Sequence, residues 1–473
     1  MPRMKLLLSL LSLFALWATL AFRPAADAPE WVKQAGAKAF PTGKTTFAAA
    51  KYGAKGDGTT LNTKALQAAI DAAAKKGGIV TLAPGRYLTG SIFLKKGVTL
   101  QVDKGVELLG SQNIKDYPEI PTRVAGIEMP WPAALINILD QENVAVTGQG
   151  TIDGQGKVFW DSYWALRKDY EKKGLRWIVD YDAKRPRTLL VANSSNVTLK
   201  GVTLQRAGFW TVHILYSKNV TADGLVIRNN IGGHGPSTDG IDIDSSGYVL
   251  VQNCDIDCND DNFCLKSGRD YDGLRVNRPT EYIVIRDCIA GAGGGLLTCG
   301  SETSGGIRHV WAHNLKAKGT SAGLRIKSAL TRGGTVEDIT FEDVQMEGVG
   351  TTVEIGMNWN PSYSYSTLPA GYTSETIPAH WKTMLMKVEP ARGLPHYRDV
   401  KVARLKVTNA KQAILAEGLP NSFLENFHFE DLDITASKAG GINYAKDWTM
   451  KNVDVKPENR EPVAVQNSSN MTF

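Results

Sequence analysis

A chain of 473 residues with 42% apolar side chains and 47 glycines can build a well-buried interior with many turns. That length fits two or three average domains, or one elongated repeat fold that grows without enlarging a single core. The formal charge of +6 is a mild excess that only tolerates an acidic partner, a solvated surface being its ordinary meaning, and no nucleic-acid partner is expected.

After Arg3 and Lys5 comes LLLSLLSLFALWATLAF, about the length of a secretory apolar region, followed by the small residues AADA before Pro29. Residues 1–28 are therefore expected to be a signal peptide and 29–473 the folded domain. A retained anchor needs a longer uninterrupted apolar span, and no second span occurs. The expectation is a secreted or periplasmic protein, off the membrane once cleaved, and monomeric.

The segment YGAKGDGTTLNTKALQAAIDAAAKKGG predicts the one clear helix. Asn62 is placed to cap it, Leu66, Ala69, Ile70 and Ala73 share one face, and Gly77-Gly78 closes it. Almost everything after it reads as short strand. NVTLKGVTLQ returns as NVTADGLVIRN, then YVLVQNCDI, YIVIRDCIA, HVWAHNLKA and VEDITFEDVQM, at intervals of roughly 23 to 34 residues. A second ladder aligns Ile243, Leu265 and Ile326. An all-β fold, a single-stranded right-handed parallel β-helix solenoid, explains both ladders. Each coil stacks an inward apolar residue about 4.8 Å from its neighbour, and the early helix caps the open end. A leucine-rich solenoid lacks the leucine spacing, and a propeller lacks the Trp-Asp repeat.

Two segments break the rhythm, Phe159 to Arg187 and Gly356 to Trp381. Both are rich in Trp and Tyr, which serve either as satellite packing or as groove walls for flat sugar faces. Five cysteines lie between Cys254 and Cys299 without paired CxxC spacing or a nearby ligating His. They are expected to be buried ladder thiols, with no zinc and no other metal or cofactor.

Seven aspartates crowd between Asp239 and Asp261. The interval from Asp239 to Asp261 equals that from Ile243 to Leu265, so these two acids should stack on adjacent coils, on one outer face. Asp260 is one residue out of phase. Asp242, Asp244, Asp255 and Asp257 are expected to point outward and stay solvated. Carboxylates so close cannot all ionise at ordinary cost, so at least one pKa should rise. A raised acid beside an ionised one suits glycoside hydrolysis. D-x-D-x-S-G also resembles the start of a calcium loop, but no Glu follows at EF-hand spacing. Arg325 and Lys327 flank inward Ile326 and should point to the same face, where a cationic pair suits a ligand carboxylate.

The chain resembles the polygalacturonase family, glycoside hydrolase family 28, from about Tyr52 to Val353. The resemblance is carried by YGAKGDG, RPRTLLVANSSNVTLKGVTL, FWTVH, STDGIDI, NDDNFCLKSG and GLRIKS. It implies inverting, metal-free hydrolysis of α-linked galacturonate in pectic polysaccharide or oligogalacturonide. It also implies Asp260 as general acid, Asp239 and Asp261 as activators of water, and Arg325 and Lys327 as binders of a substrate carboxylate. Ser237 stands where the family has Asn, and Gly294 or Gly295 where its Gly-His-Gly motif has His. His213 and Trp210 are candidates to line the groove, and His234 is a turn residue near it. Three alternatives stay open: a rhamnogalacturonan hydrolase of the same family, a calcium-dependent pectate lyase, and a non-catalytic glycan-binding β-helix.

Overall fold

The computed structural model describes residues 28–473, so the expected leader lies outside the described residues but for Ala28. A hydrogen-bonded network of 31 strands winds through the chain, all of its paired strands parallel, and a separate antiparallel hairpin stands outside it. Each early coil contributes three short strands. One stack runs through Leu189–Ala192, Val212–Leu215, Ile241–Asp244 and Phe263–Lys266, each paired in register with the next. It continues through Gly293–Cys299, Thr320–Lys327 and Thr351–Gly356. The repeats found in sequence pair as expected: Val197 with Val220, then Val249, Ile283, Val310 and Ile339. In later coils the other two strands merge into long ones such as Thr280–Ala290, His396–Glu417 takes in all three, and the winding continues well past Pro378.

Inside the cylinder Ile243 stacks on Leu265, Leu265 on Cys299, and Cys299 on Ile326, all buried. This ladder sets the register of the whole face, and truncating Leu265 to Ala would cost about 2–5 kcal/mol. The cysteines are free and buried, and Cys254, Cys258, Cys288 and Cys299 pack in the inner core as expected of ladder thiols, whereas Cys264 points out of the cylinder in register with Asp242. Helix Thr63–Ala74 buries Leu66, Ala69, Ile70 and Ala73 at the N-terminal end of the coil. Asn62 does not cap it through its side chain. It joins the preceding loop instead, accepting from Lys55 N and donating to the carbonyls of Lys55 and Thr60.

Three segments leave the coil and roof the stack that carries the acids. The first is the hairpin Glu119–Val124 and Ile127–Pro132, turned by Ala125 and Gly126 at φ 41° and 89°. A Cβ on Gly126 would lie 2.4 Å from Arg269 Cβ, so only glycine lets this turn close against the coil. The second contains a 16-residue helix, Lys157–Lys172, where the sequence reading expected no further helix. Its buried Phe159, Trp160 and Tyr163 share one face, a 3.6-residue period that the aromatic content of the segment obscured. The third, after Gly356, forms short helices at Pro361–Ser364 and Ala379–Met384.

Candidate active site

Asp239 and Asp261 each lie just before a strand of the roofed stack. The amide of Gly240 donates to Asp261 O at 2.9 Å, which locks one coil over the next at this point. A Cβ on Gly240 would meet Asn262 O at 2.4 Å, so the close approach needs glycine. The two acids and Asp260 line one pocket with Ser237, Lys266, Ser301, Glu302 and Lys327 from the coil. Ala125 of the hairpin, Arg176 and Asp180 of the second segment, and Trp359 and Tyr363 of the third wall it in. Asp239 and Asp261 are only 3% and 1% exposed, whereas Asp260 is half-buried and the most open of the trio.

Their environments differ. Asp261 accepts from Gly295 N and Thr298 Oγ1 at Oδ1, both at 2.8 Å, and from Lys327 Nζ at Oδ2, also at 2.8 Å. Burial pushes this carboxyl up, but Lys327 and Arg325 outweigh it and hold Asp261 well below the usual carboxylate range. Asp260 is raised by burial and by the Asp261 charge beside it. Asp239 is pushed well up by burial and then by Asp242 and Asp260, with Lys266 pulling it back. The site thus sets Asp261, held ionised by its cations, beside Asp260 and Asp239, whose ionisation burial opposes. That division is what proton transfer to a leaving group requires.

The expectation that Asp242 and Asp244 stay solvated is overturned: both are fully buried. They do point out of the cylinder, in register with His213 and Leu215 on the coil before. The roof then removes them from water. Arg123 of the hairpin donates to Asp244 Oδ1 at 2.9 Å and holds its carboxyl down to about 2 against burial. Neither oxygen of Asp242 has a hydrogen-bond partner.

His213 does not line the groove. It is 0% exposed beneath Trp210, with Arg187 donating to its Nδ1 at 2.7 Å, and burial lowers its pKa to about 4. Trp210 does reach the pocket, stacked on Phe209, with Lys266 Nζ 4.9 Å from its ring centre. Ser237 also reaches it, but its hydroxyl donates to Asp180 Oδ1 at 2.9 Å. His234 is exposed, and its carbonyl accepts from Trp164. At the expected His positions no side chain fits: a Cβ on Gly294 would lie 2.5 Å from Asp261 Oδ1, and one on Gly295 2.1 Å from Thr298 Oγ1.

Of the aromatic segments, Trp359 lies over Lys327 Nζ at 4.4 Å and meets Tyr363 edge-on, so these two are walls. Trp177, Tyr181 and Trp381 instead pack with Trp131 and Phe209 in a satellite core. Lys266, Glu302, Arg176 and Asp180 were missed in sequence. Lys266 carried a signal: it follows ladder residue Leu265 as Lys327 follows Ile326.

Asp239, Asp261 and Cys264 come close enough to hold a metal ion. The donor set does not suit a hard cation such as calcium. Lys327 Nζ already occupies Asp261 Oδ2, and burial keeps the Cys264 thiol protonated. A larger cavity of about 460 Å³ lies under the hairpin, lined by Met129, Leu190, Leu215 and Tyr216 with Glu128 and Asp140. Two acids and no cation make it unsuited to an anionic sugar.

The model of Glycosyl hydrolases family 28 matches residues 82–374, and that of Rhamnogalacturonase A/epimerase, pectate lyase-like, matches residues 47–113. A probable polygalacturonase of Vitis vinifera is 34% identical over 63% of this chain and 60% of its own. An exo-poly-alpha-D-galacturonosidase of Dickeya chrysanthemi is 28% identical over 71% of this chain and 60% of its own. The chain thus spans 60% of the length of each of these relatives. Among solved structures, a hyperthermoactive exopolygalacturonase from Thermotoga maritima superposes with a TM-score of 0.73 at 28% identity, over 90% of this chain and 95% of that one. A polygalacturonase from Erwinia carotovora, at 22% identity and a TM-score of 0.63, shares the fold. The family match covers more than half of the chain and takes in every acid and cation of the pocket, and the chain belongs to glycosyl hydrolase family 28.

Proposed function

We propose that the protein hydrolyses α-linked galacturonic-acid-containing pectic polysaccharide with inversion. The observation that carries the reading is the stacked pair Asp239 and Asp261 beside the half-buried Asp260, with Lys327 and Arg325 bordering the same carboxylates. Asp260 gives its proton to the glycosidic oxygen as the bond from that oxygen to the anomeric carbon breaks. A water held by Asp239 and Asp261 forms the new bond to that carbon and passes its proton to a carboxylate. Arg325 and Lys327 hold the carboxylate of a galacturonate unit. The names of the relatives support the substrate class, and the expected leader would put the site of action outside the cytoplasm.

Action at a chain end fits the pocket best, because three segments outside the coil close around the acids where an open groove would pass a polymer through. Product analysis on homogalacturonan beside rhamnogalacturonan tests both statements. Saturated galacturonate mono- or disaccharides released from homogalacturonan at the earliest times are the expected result. A spread of longer oligomers would overturn end action. Cleavage of rhamnogalacturonan alone would move the substrate, unsaturated products lost in chelator would show a lyase, and binding without cleavage a lectin-like β-helix.

A further inference from the structure

We propose that Lys266 is the positioning cation of the site, drawing the Asp239 carboxyl back toward its charged form and orienting it toward the water. This rests on the reading of Asp239 as a water-activating group. Positions 294 and 295, where the resemblance would place a His, bring a Cβ within 2.5 Å of Asp261 Oδ1 and 2.1 Å of Thr298 Oγ1, so no imidazole approaches the acids from that side. Lys266 comes from a different direction, from the end of the strand Phe263–Lys266 that follows Asp261 on the same coil. Its Nζ lies 3.6 Å from Asp239 Oδ2, 3.6 Å from Asp242 Oδ1 and 3.3 Å from Glu302 Oε2. Among the described residues it is the one basic group in ion-pair contact with Asp239.

The charges around the pair decide how that cation is shared. Asp239 faces Asp242, Asp260 and Asp261, all of which oppose its ionisation, and the buried Cys258 thiol lies close by. Arg185, from the second segment, also feels Asp239 but is paired with Asp180 at 3.0 Å. Asp242 is fully buried, and neither oxygen has a hydrogen-bond partner, an arrangement a neutral carboxyl tolerates far better than a carboxylate. Lys266 therefore divides its charge between Asp239 and Glu302. Glu302 is buried and also accepts from Tyr363 OH at 3.3 Å. The Trp210 ring beneath the ammonium and the 5% exposure of Lys266 keep water from screening it.

This arrangement gives two substitutions opposite signs. Lys266→Gln removes the cation, so the acid limb of the kcat/KM–pH profile should move up by about one unit or more. That is about a tenfold loss at a pH below both limbs. Glu302→Gln removes the competing anion, so the limb should move down, and Lys266→Arg should restore most of what Gln loses. A purely structural role would lower the rate without moving the limb. An unmoved limb in folded Lys266→Gln, or an unmoved or raised limb in Glu302→Gln, overturns the proposal. If Lys266→Gln does not fold, Glu302→Gln decides alone. Asp239→Asn separates this inference from the reading beneath it: near-full activity there would remove the role of Asp239 itself. An inactive Asp239→Asn beside unmoved limbs would remove only the role of Lys266.

Discussion

Lys327 Nζ lies 2.8 Å from Asp261 Oδ2, so the residue proposed to bind a substrate carboxylate also sets the charge of one proposed to activate water. Arg325 stands farther off, 3.7 Å from Asp261 Oδ1, and is tied to Glu354 at 3.1 Å. Lys327→Met should therefore act twice. It should raise KM for galacturonate oligomers, and it should lift the Asp261 pKa toward the carboxylate range, steepening the acid limb of kcat/KM by a second proton below the step set by Asp239. Arg325→Gln should raise KM with a smaller change in the limb. Profiles for the two variants, measured on one oligomer, check the split. Equal limbs in Lys327→Met and the parent would refute it.

Asp260→Asn keeps the shape of the side chain but cannot donate a proton to the leaving oxygen. The rate on a polymer should fall by about 10²–10⁴-fold. A galacturonide with a good leaving group, such as a nitrophenol, needs little protonation and should lose much less. Equal losses on the two substrates would show that Asp260 is not the proton donor.

The stacking of Asp239 over Asp261 could be read in advance because the ladder fixes register. One interval, from Ile243 to Leu265, places every other residue on both coils. The same alternation placed Arg325 and Lys327 outward, and it puts Asp242, Asp244 and Lys266 outward too, since Asp244 pairs with Lys266. What it does not say is whether an outward residue meets water. The hairpin and the two irregular segments decide that, and their paths depend on contacts distant in sequence, such as Arg123 with Asp244 and Tyr181 OH with Ala125 O. For this reason His213 was expected in the groove and Asp242 in solvent, although both lie under the roof. Trp359 and Trp177 could not be told apart in sequence for the same reason, one being a wall and the other core.

Restoring the family histidine should harm this protein. Gly294→His would bring a Cβ within 2.5 Å of Asp261 Oδ1 and 3.2 Å of Asp261 N, so either the coil or the carboxylate must shift. The expected cost is about 1–3 kcal/mol of stability, as in other overpacked sites, with a loss of activity because Asp261 leaves its hydrogen bonds. Thermal unfolding and turnover of Gly294→His and Gly294→Ala measure this. A gain in activity from the histidine would show that the coil yields and that the acids lack its help.

The buried imidazole beneath the site makes stability depend on pH in a defined window. Arg187 donates to His213 Nδ1, which requires a lone pair there and favours the neutral ring. Burial lowers the pKa from 6.5 to about 4. Above 6.5 the ring is neutral whether the chain is folded or not, and it adds no pH dependence. Between 6.5 and about 4 the unfolded chain binds a proton that the folded chain refuses, so stability falls as pH falls, by about 3 kcal/mol across the window. Below about 4 both states are protonated and this contribution is flat. Urea unfolding of the parent and of His213→Asn at several pH values isolates it above about pH 4, since Asp244, the acid His213 helps hold down to about 2, titrates below that window. The parent should lose stability more steeply through the window, whatever the offset between the two proteins. Parallel curves would mean that His213 carries a proton in the folded state or titrates near its ordinary value.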